Sequence, residues 1–321
     1  MQANPEPTRP ILVAGATGYI GGRLVPALER RGLRVRCLAR KPEETREKLG
    51  PGVEVVAGDV LDRASLDDPL RGVQTAYYLV HLMANDGDFE EKDRQAARNF
   101  GDAAKAAGVR RIIYLGGLGD DADPNLSPHL KSRHEVGEIL RESGVETIEL
   151  RASAILGPGS LSYDMVKSLT DRLPVMVCPK WLDTPTQPIA VDDVVSYLVK
   201  SLDLPPGESR IVEIGGTDVV AYRGLIEEYA RRKGLHRVLI RVPVLSPWLS
   251  GLWLALVTPN KFTVGRHLIE GLRNPTVVRN DSARKLFPDV HPVGIAEAIG
   301  RAVAQEERGD ARGVHGAKAV A

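Results

Sequence analysis

The sequence predicts an α/β fold, a doubly wound parallel sheet with a smaller C-terminal lobe. Three observations lead there. Short β-branched runs alternate with helix-period segments through the first half, as βαβ units do. Those runs are too short and too apolar to be independent amphipathic helices. After about Gly157 the pattern loosens into segments punctuated by Pro158, Pro174, Pro179, Pro185 and Pro188. The expected division is a flexible start at 1–9, a core at 10–157, a lobe packed on it at 158–305 and a disordered tail at 306–321. No strongly polar linker separates the halves, so the lobe is expected to close a cleft against the core.

Six strands are expected, at 11–14, 35–38, 53–56, 75–80, 111–115 and 146–150. Between the first two, Ile20, Leu24, Val25 and Leu28 mark one helix face and Gly32 ends the helix. A longer helix carries Phe89, Ala96, Phe100, Ala103 and Ala107 near one face; Asp88 with Glu91 three residues on resembles a capping box, and Gly108 closes it. Ser127 and Pro128 open a third, which runs to Ser143 and Gly144. Beyond it, 194–202 and 225–232 have shorter helical patterns.

The 321 residues hold 43 Lys plus Arg against 42 Asp plus Glu, a formal charge of +1, which removes the electrostatic reason to expect a nucleic acid partner. Two cysteines, Cys37 and Cys178, make no disulfide framework, and a reducing, cytoplasmic compartment fits. The polar opening reads as no secretory signal. The apolar stretch 245–257, with Trp248 and Trp253, is interrupted by Pro247 and shorter than the ~20 residues that span a bilayer. It is expected as a buried helix, with an interface or peripheral membrane contact as the alternatives. Seven histidines show no paired zinc spacing, and no metal is expected.

Directly after the first strand comes Gly15-Ala16-Thr17-Gly18-Tyr19-Ile20-Gly21-Gly22. A dinucleotide pyrophosphate needs a backbone free of Cβ atoms and a helix N-terminus with unpaired N–H groups. The spacing differs from Gly-x-Gly-x-x-Gly, so the strand, turn and helix context carries the inference. Cofactor contacts are expected from Gly15, Thr17, Gly18, Tyr19, Ile20 and Gly21. Where an NAD site would place an acid, this chain has Arg40 and Lys41, which suit a 2′-phosphate and favour NADP(H) over NAD(H) unless Glu43 and Glu44 pair with them. Arg23 is a weaker second candidate. Asp59, followed by Val60, either accepts from the adenine amino group or caps the next helix. Leu79, Val80 and His81 end the fourth strand on the same rim, in reach of ribose or nicotinamide.

These residues, together with Gly58-Asp59-Val60, Tyr114-Leu115-Gly116-Gly117-Leu118-Gly119, Leu150-Arg151, Gly157-Pro158-Gly159 and Pro188-Ile189-Ala190-Val191-Asp192-Asp193-Val194, resemble an atypical short-chain dehydrogenase/reductase. The nearest subgroup is that of NmrA-like and complex I accessory-subunit-like NAD(P)-binding proteins, and the resemblance runs from about 10 to 303. It implies a Rossmann core, NADP(H) in an extended pose and hydride transfer, ordinarily assisted by Ser, Tyr and Lys. Aligned on the helix end at Ser143-Gly144, the Tyr position becomes His129, the Lys position Arg133 and the Ser position Gly116 or Gly117. The standard triad is therefore absent. Gly116 is still expected at the cofactor.

An imidazole can serve as a general acid, and a guanidinium can hold an anion, so His129 and Arg133 are the candidate catalytic pair. Against this, a partly exposed or locally hydrogen-bonded histidine is common at the position of His129, two residues into a helix, and Arg133 is equally readable as an ion-pair partner of Glu135 or Asp120. Asp120, Asp121 and Asp123 read as solvated loop acids. Tyr163 either offers its phenol to a substrate or packs under a loop. The function expected is an NADP(H)-dependent reductase of a small or lipophilic carbonyl or quinone. The alternative is a non-catalytic NADP(H)-binding sensor or assembly module.

Overall fold

The computed structural model describes residues 9–50, 52–82, 89–241 and 272–311. In chain order come β1 (Ile11–Ala14), α1 (Gly21–Arg30), β2 (Val35–Ala39), α2 (Pro42–Leu49), β3 (Glu54–Ala57), α3 (Asp67–Leu70), β4 (Thr75–Tyr78), α4 (Phe89–Ala106), β5 (Arg111–Gly117), α5 (Pro128–Glu142) and β6 (Glu146–Ala152). There follow β7 (Ile155–Leu156), α6 (Leu161–Arg172), β8 (Val175–Cys178), β9 (Pro185–Thr186), β10 (Ile189–Ala190), α7 (Val191–Lys200), β11 (Arg210–Ile214), β12 (Val220–Ala221), α8 (Tyr222–Arg232), β13 (Val238–Arg241), α9 (Ser282–Leu286) and α10 (Ile295–Ala311).

All six expected strands form, and a seventh joins them. The sheet runs β11-β6-β5-β4-β1-β2-β3, with every pairing parallel. Strand order reverses at β1, which pairs with both β2 and β4. In such a doubly wound sheet the crevice for ligands opens outside the carboxyl ends of the strands at that reversal.

Alternation along the strands divides the core into two layers. Val13, Ile113, Ile148 and Val212 pack with Leu24 and Leu28 of α1 and Val194 and Leu198 of α7. Leu12, Ala14, Tyr78, Ile112 and Tyr114 pack with Phe100 and Ala103 of α4 and Val136 and Leu140 of α5. A separate cluster, including Tyr163, Leu169, Trp181, Tyr229 and Ile299, fills the C-terminal lobe.

Two expectations change. The chain does not leave the core for good at 157, because α7 and β11 return to it and complete the sheet. Residues 306–311, expected in a disordered tail, belong instead to α10, which continues to Ala311. The Asp88 cap, the 245–257 stretch and the chain ends at 1–8 and 312–321 lie outside the described residues. Among the described residues no helix is long and apolar enough to cross a membrane.

Candidate functional site

The carboxyl rim of the sheet gathers most of the expected residues. At β1 the chain turns through Gly15, whose φ of +89° is a left-handed conformation that L side chains rarely adopt. A Cβ there would also fall 2.6 Å from the Leu79 carbonyl oxygen, so the turn lies flat against the end of β4. Gly21 is equally constrained, because its Cβ would overlap the Gly15 carbonyl. Thr17 and Gly18 face solvent between these fixed points, and Ile20 gives α1 no side-chain cap. The result is a backbone cradle ahead of a helix N-terminus, which fits a pyrophosphate in shape and in sign.

Beside the cradle, the Gly58 amide donates to the Ala39 carbonyl at 3.0 Å, so Arg40 and Asp59 share one stretch of rim. Lys41 is bound to Glu44 at 2.8 Å, in an exposed pair of small energetic consequence. Arg40 is exposed and makes no ion pair among the described residues. Asp59 does not cap the following helical turn, a role taken by Asp62. It accepts from the Leu61 amide at 3.0 Å, which holds its half-buried carboxylate at the rim, while Val60 is buried and its carbonyl accepts from Asn99.

Arg23 is otherwise engaged. Its guanidinium lies 4.0 Å over the Tyr19 ring and donates to the carbonyls of Tyr19 and Pro158 at 2.9 and 2.8 Å. This joins the glycine turn to the loop entering the C-terminal lobe, and burial pushes the Tyr19 phenol up to about 12. Tyr163 enters that lobe's core instead of a cleft. Its ring is fully buried edge-on to Tyr229, and its hydroxyl donates to Glu306 at 3.3 Å, so the packing reading holds for it.

Across β4, Leu79 and Val80 are half-buried, and the next residue, His81, reaches Asp93 and His129. Its Nδ1 is 2.9 Å from Asp93 Oδ2 on α4, and its Nε2 is 3.3 Å from His129 Nδ1 on α5. Asp93 is only 1% exposed. Its other oxygen accepts from the Leu82 amide at 2.9 Å, while Oδ2 also accepts from the Ser132 hydroxyl at 3.2 Å. Burial alone would raise this carboxyl. The hydrogen bond and charge of His81, the Leu82 amide and the Arg133 charge outweigh it and hold the group below the ordinary aspartate value.

Arg133 takes neither of its expected acidic partners, since Glu135 pairs with Arg94 and Asp120 with Arg279. It donates to the Leu115 carbonyl and stacks 4.9 Å over the Tyr114 ring. The Tyr114 hydroxyl donates back to the Arg133 carbonyl at 2.9 Å.

The glycines at the serine position have a packing cause. A Cβ on Gly116 would lie 3.2 Å from both Glu149 Oε1 and the Tyr114 ring, and one on Gly117 only 2.7 Å from Leu130. Gly116 is buried, so Gly117 is the half-exposed position of the two. Glu149 in turn is wholly buried between Arg141 and Arg151, and Arg151 forks onto Asp121 at 2.8 and 2.9 Å. Asp120 and Asp121 are exposed, as solvated loop acids should be, but each also holds an arginine, Arg279 and Arg151 respectively, and the nearby Asp123 binds Asn274 at 2.9 Å.

Asp93, Ser132 and Glu149 were not singled out from the sequence. One signal for Asp93 is present there: Phe89, Asp93, Ala96 and Phe100 follow helical spacing, so a carboxylate interrupts an apolar stripe.

The sequence profile of the NmrA-like family matches residues 7–171. This chain belongs to the NmrA-like family. Among curated relatives, the (4-alkanoyl-5-oxo-2,5-dihydrofuran-3-yl)methyl phosphate reductase of Streptomyces griseus is 31% identical over 231 residues, 70% of this chain and 74% of the relative. A ceramide reductase of Caulobacter vibrioides is 28% identical over 80% of this NmrA-like chain and 82% of its own length. The triphenylmethane reductase of Citrobacter sp., solved with NADP(H), shares the fold at a TM-score of 0.72 and 18% identity, covering 91% of this chain and 99% of that one.

Proposed function

We propose that this NmrA-like protein is an NADP(H)-dependent reductase of a small or lipophilic carbonyl or quinone. The observation that carries the reading is the cradle at Gly15, Gly18 and Gly21, built against Leu79 on the same rim that ends in His81. Thr17, Gly18, Tyr19 and Ile20 would line the pyrophosphate, Arg40 the 2′-phosphate, and Asp59 with Val60 the adenine end. Leu79, Val80, His81 and Gly117 would border the nicotinamide end. Reductase names among the relatives and the NADP(H) complex of the structural neighbour support the assignment.

When bound, the reduced nicotinamide supplies hydride. The chain's own part is to orient the acceptor and to protonate the oxygen that becomes negative. His129 stands at the usual Tyr position and carries that role, whereas Arg133 is spent on Leu115 and Tyr114 and takes no part in it. A quinone asks less of a protein acid than a simple ketone, because its reduced oxyanion is already stabilised. Both cysteines are free and buried, and burial pushes the Cys37 thiol up to about 12, which suits a reducing, cytoplasmic compartment.

The absence of the Ser, Tyr and Lys set favours one competing reading, a sensor that binds NADP(H) without turnover. Purified protein mixed with sub-stoichiometric NADPH and then with a panel of quinones and aldehydes separates the two. The expected result is rapid loss of bound nicotinamide fluorescence with at least one acceptor, abolished in Gly18→Glu, which fills the cradle. A stable bound signal with every acceptor favours the sensor. Failure to bind NADPH overturns both. Arg40→Ala should weaken NADPH about tenfold or more and leave NADH nearly unchanged, as loss of a charge-assisted phosphate contact requires.

A further inference from the structure

We propose that Asp93, His81 and His129 form a proton relay in which Asp93 fixes the tautomer of His81, His81 fixes that of His129, and the imidazole pair holds the proton delivered to the substrate oxygen. The proposal deepens the reductase reading and rests on it for the delivery step alone.

The wiring follows from donor and acceptor counting. A carboxylate with the burial of Asp93 costs several kcal/mol unless donors surround it, and here the Leu82 amide, the Ser132 hydroxyl and His81 Nδ1 do so at 2.9, 3.2 and 2.9 Å. An ionised carboxylate only accepts, so Nδ1 of His81 must carry hydrogen. In the neutral ring Nε2 is then a lone-pair acceptor. The atom facing it at 3.3 Å, His129 Nδ1, must be the donor. Both rings are thereby set, and Nε2 of His129 becomes the nitrogen at which a further proton is taken up.

Once that proton is added, the positive charge lies two hydrogen bonds from a buried negative one, which favours the imidazolium. Among the described residues, other groups facing the relay include Arg133 on α5, whose charge opposes protonation, and the hydroxyls of Tyr78 on β4 and Tyr114 on β5. Burial drives both phenols upward, Tyr114 to about 12, so they stay neutral. Arg94 and Glu135 neutralise each other at 2.7 Å where α4 meets α5.

The step balances. With a bound reduced nicotinamide as the two-electron hydride donor, the substrate oxygen would receive the carbon–oxygen π pair, and His129 Nε2 would give that oxygen its proton. The products would be an alcohol and oxidised cofactor, with solvent reprotonating the neutral imidazole. Asp93 touches no reacting atom and is a positioning residue, whereas His129 is the catalytic one.

The test has a readout independent of turnover. Ring nitrogens and carbons of the seven histidines are followed by NMR from pH 5 to 9 in the full chain labelled with ¹⁵N and ¹³C histidine, using His81→Gln and His129→Gln for assignment. Neutral His81 is expected to show hydrogen on Nδ1. In Asp93→Asn the midpoint for protonating the pair should fall by about one pH unit, a tenfold change in proton affinity. Asp93→Glu should restore part of it, and Ser132→Ala is a milder probe that keeps the result decisive if Asp93→Asn folds poorly. The acidic limb of the kcat/KM profile for an acceptor that turns over should move with the same midpoint.

A His81 tautomer with hydrogen on Nε2, or a titration unmoved by Asp93→Asn and Ser132→Ala alike, overturns the relay. A moved titration with an unmoved pH–rate profile overturns delivery through His129. NADPH binding without turnover of any acceptor overturns the reductase reading and the delivery step with it, while the NMR result judges the wiring by itself.

Discussion

Glu149 crowds the space that a serine side chain would need at Gly116, 3.2 Å from its Cβ, and bars a side chain at Gly137 of α5, whose Cβ would overlap the Glu149 carboxylate. A fully buried acid between Arg141 and Arg151 is tolerable only while both partners stay. Removing one member of such a network leaves uncompensated buried charge, typically at a cost of about 3–5 kcal/mol. Glu149→Ala is therefore expected to lower the urea unfolding midpoint by that equivalent, and Gly137→Ala to lower it as well by pushing the carboxylate off its partners. A midpoint unchanged in both would show that the network contributes no net stability. Glu149 was hard to read from the sequence because it sits in a strand whose adjacent residues are apolar; Arg151 lies two residues on in the same strand, but the second partner, Arg141, reaches it only through the packing of α5 on β6.

At the scale of elements, α5 does the most positioning. Ser127 caps it by accepting from the Leu130 amide at 3.3 Å, and Pro128 follows at its first turn, where a missing N–H costs nothing. The helix then places His129, Ser132 and Arg133 against β4 and β5. Ser127→Ala should cost about 1 kcal/mol of stability. Because the cap also sets where His129 sits, while the glycine turn belongs to another element, kcat should fall with little change in NADPH affinity. An equal loss in both would mean the cap acts through global stability only.

These helices were legible because their signals are local: Ser-Pro at one end, glycines at the other, and apolar spacing between. The glycine cradle was legible for the same reason. The seventh strand, β11, was not, because Arg210-Ile211-Val212-Glu213-Ile214 follows a proline-rich stretch and finds its place only by pairing with β6, more than fifty residues earlier. The relay was half legible. His81 and His129 could be placed singly, but their contact depends on how α5 packs against the carboxyl end of β4, which no local pattern specifies.

For the whole molecule, the question is how the nucleotide end and the C-terminal lobe communicate. Arg23 bridges them, with one guanidinium nitrogen on the Tyr19 carbonyl of the glycine turn and the other on Pro158 at the lobe's entrance. Tyr19 reinforces the bridge, because a Cβ on Gly157 would lie 2.6 Å from its hydroxyl oxygen. Just beyond, Ser160 caps α6 by accepting from the Tyr163 amide at 3.2 Å, so the tie leads straight into the helix that anchors the lobe's core. A ligand that binds only the native turn stabilises whatever is coupled to it, by about 2.7 kcal/mol when present at a hundred times its dissociation constant. Saturating NADPH is therefore expected to slow amide hydrogen exchange both in α1 and in α6. Arg23→Ala should preserve the protection of α1, since the cradle glycines are untouched, and remove most of the added protection of α6. If α6 is protected equally in the variant, the two regions are coupled through the sheet and not through Arg23; if α6 gains no protection even in the native chain, they are energetically independent.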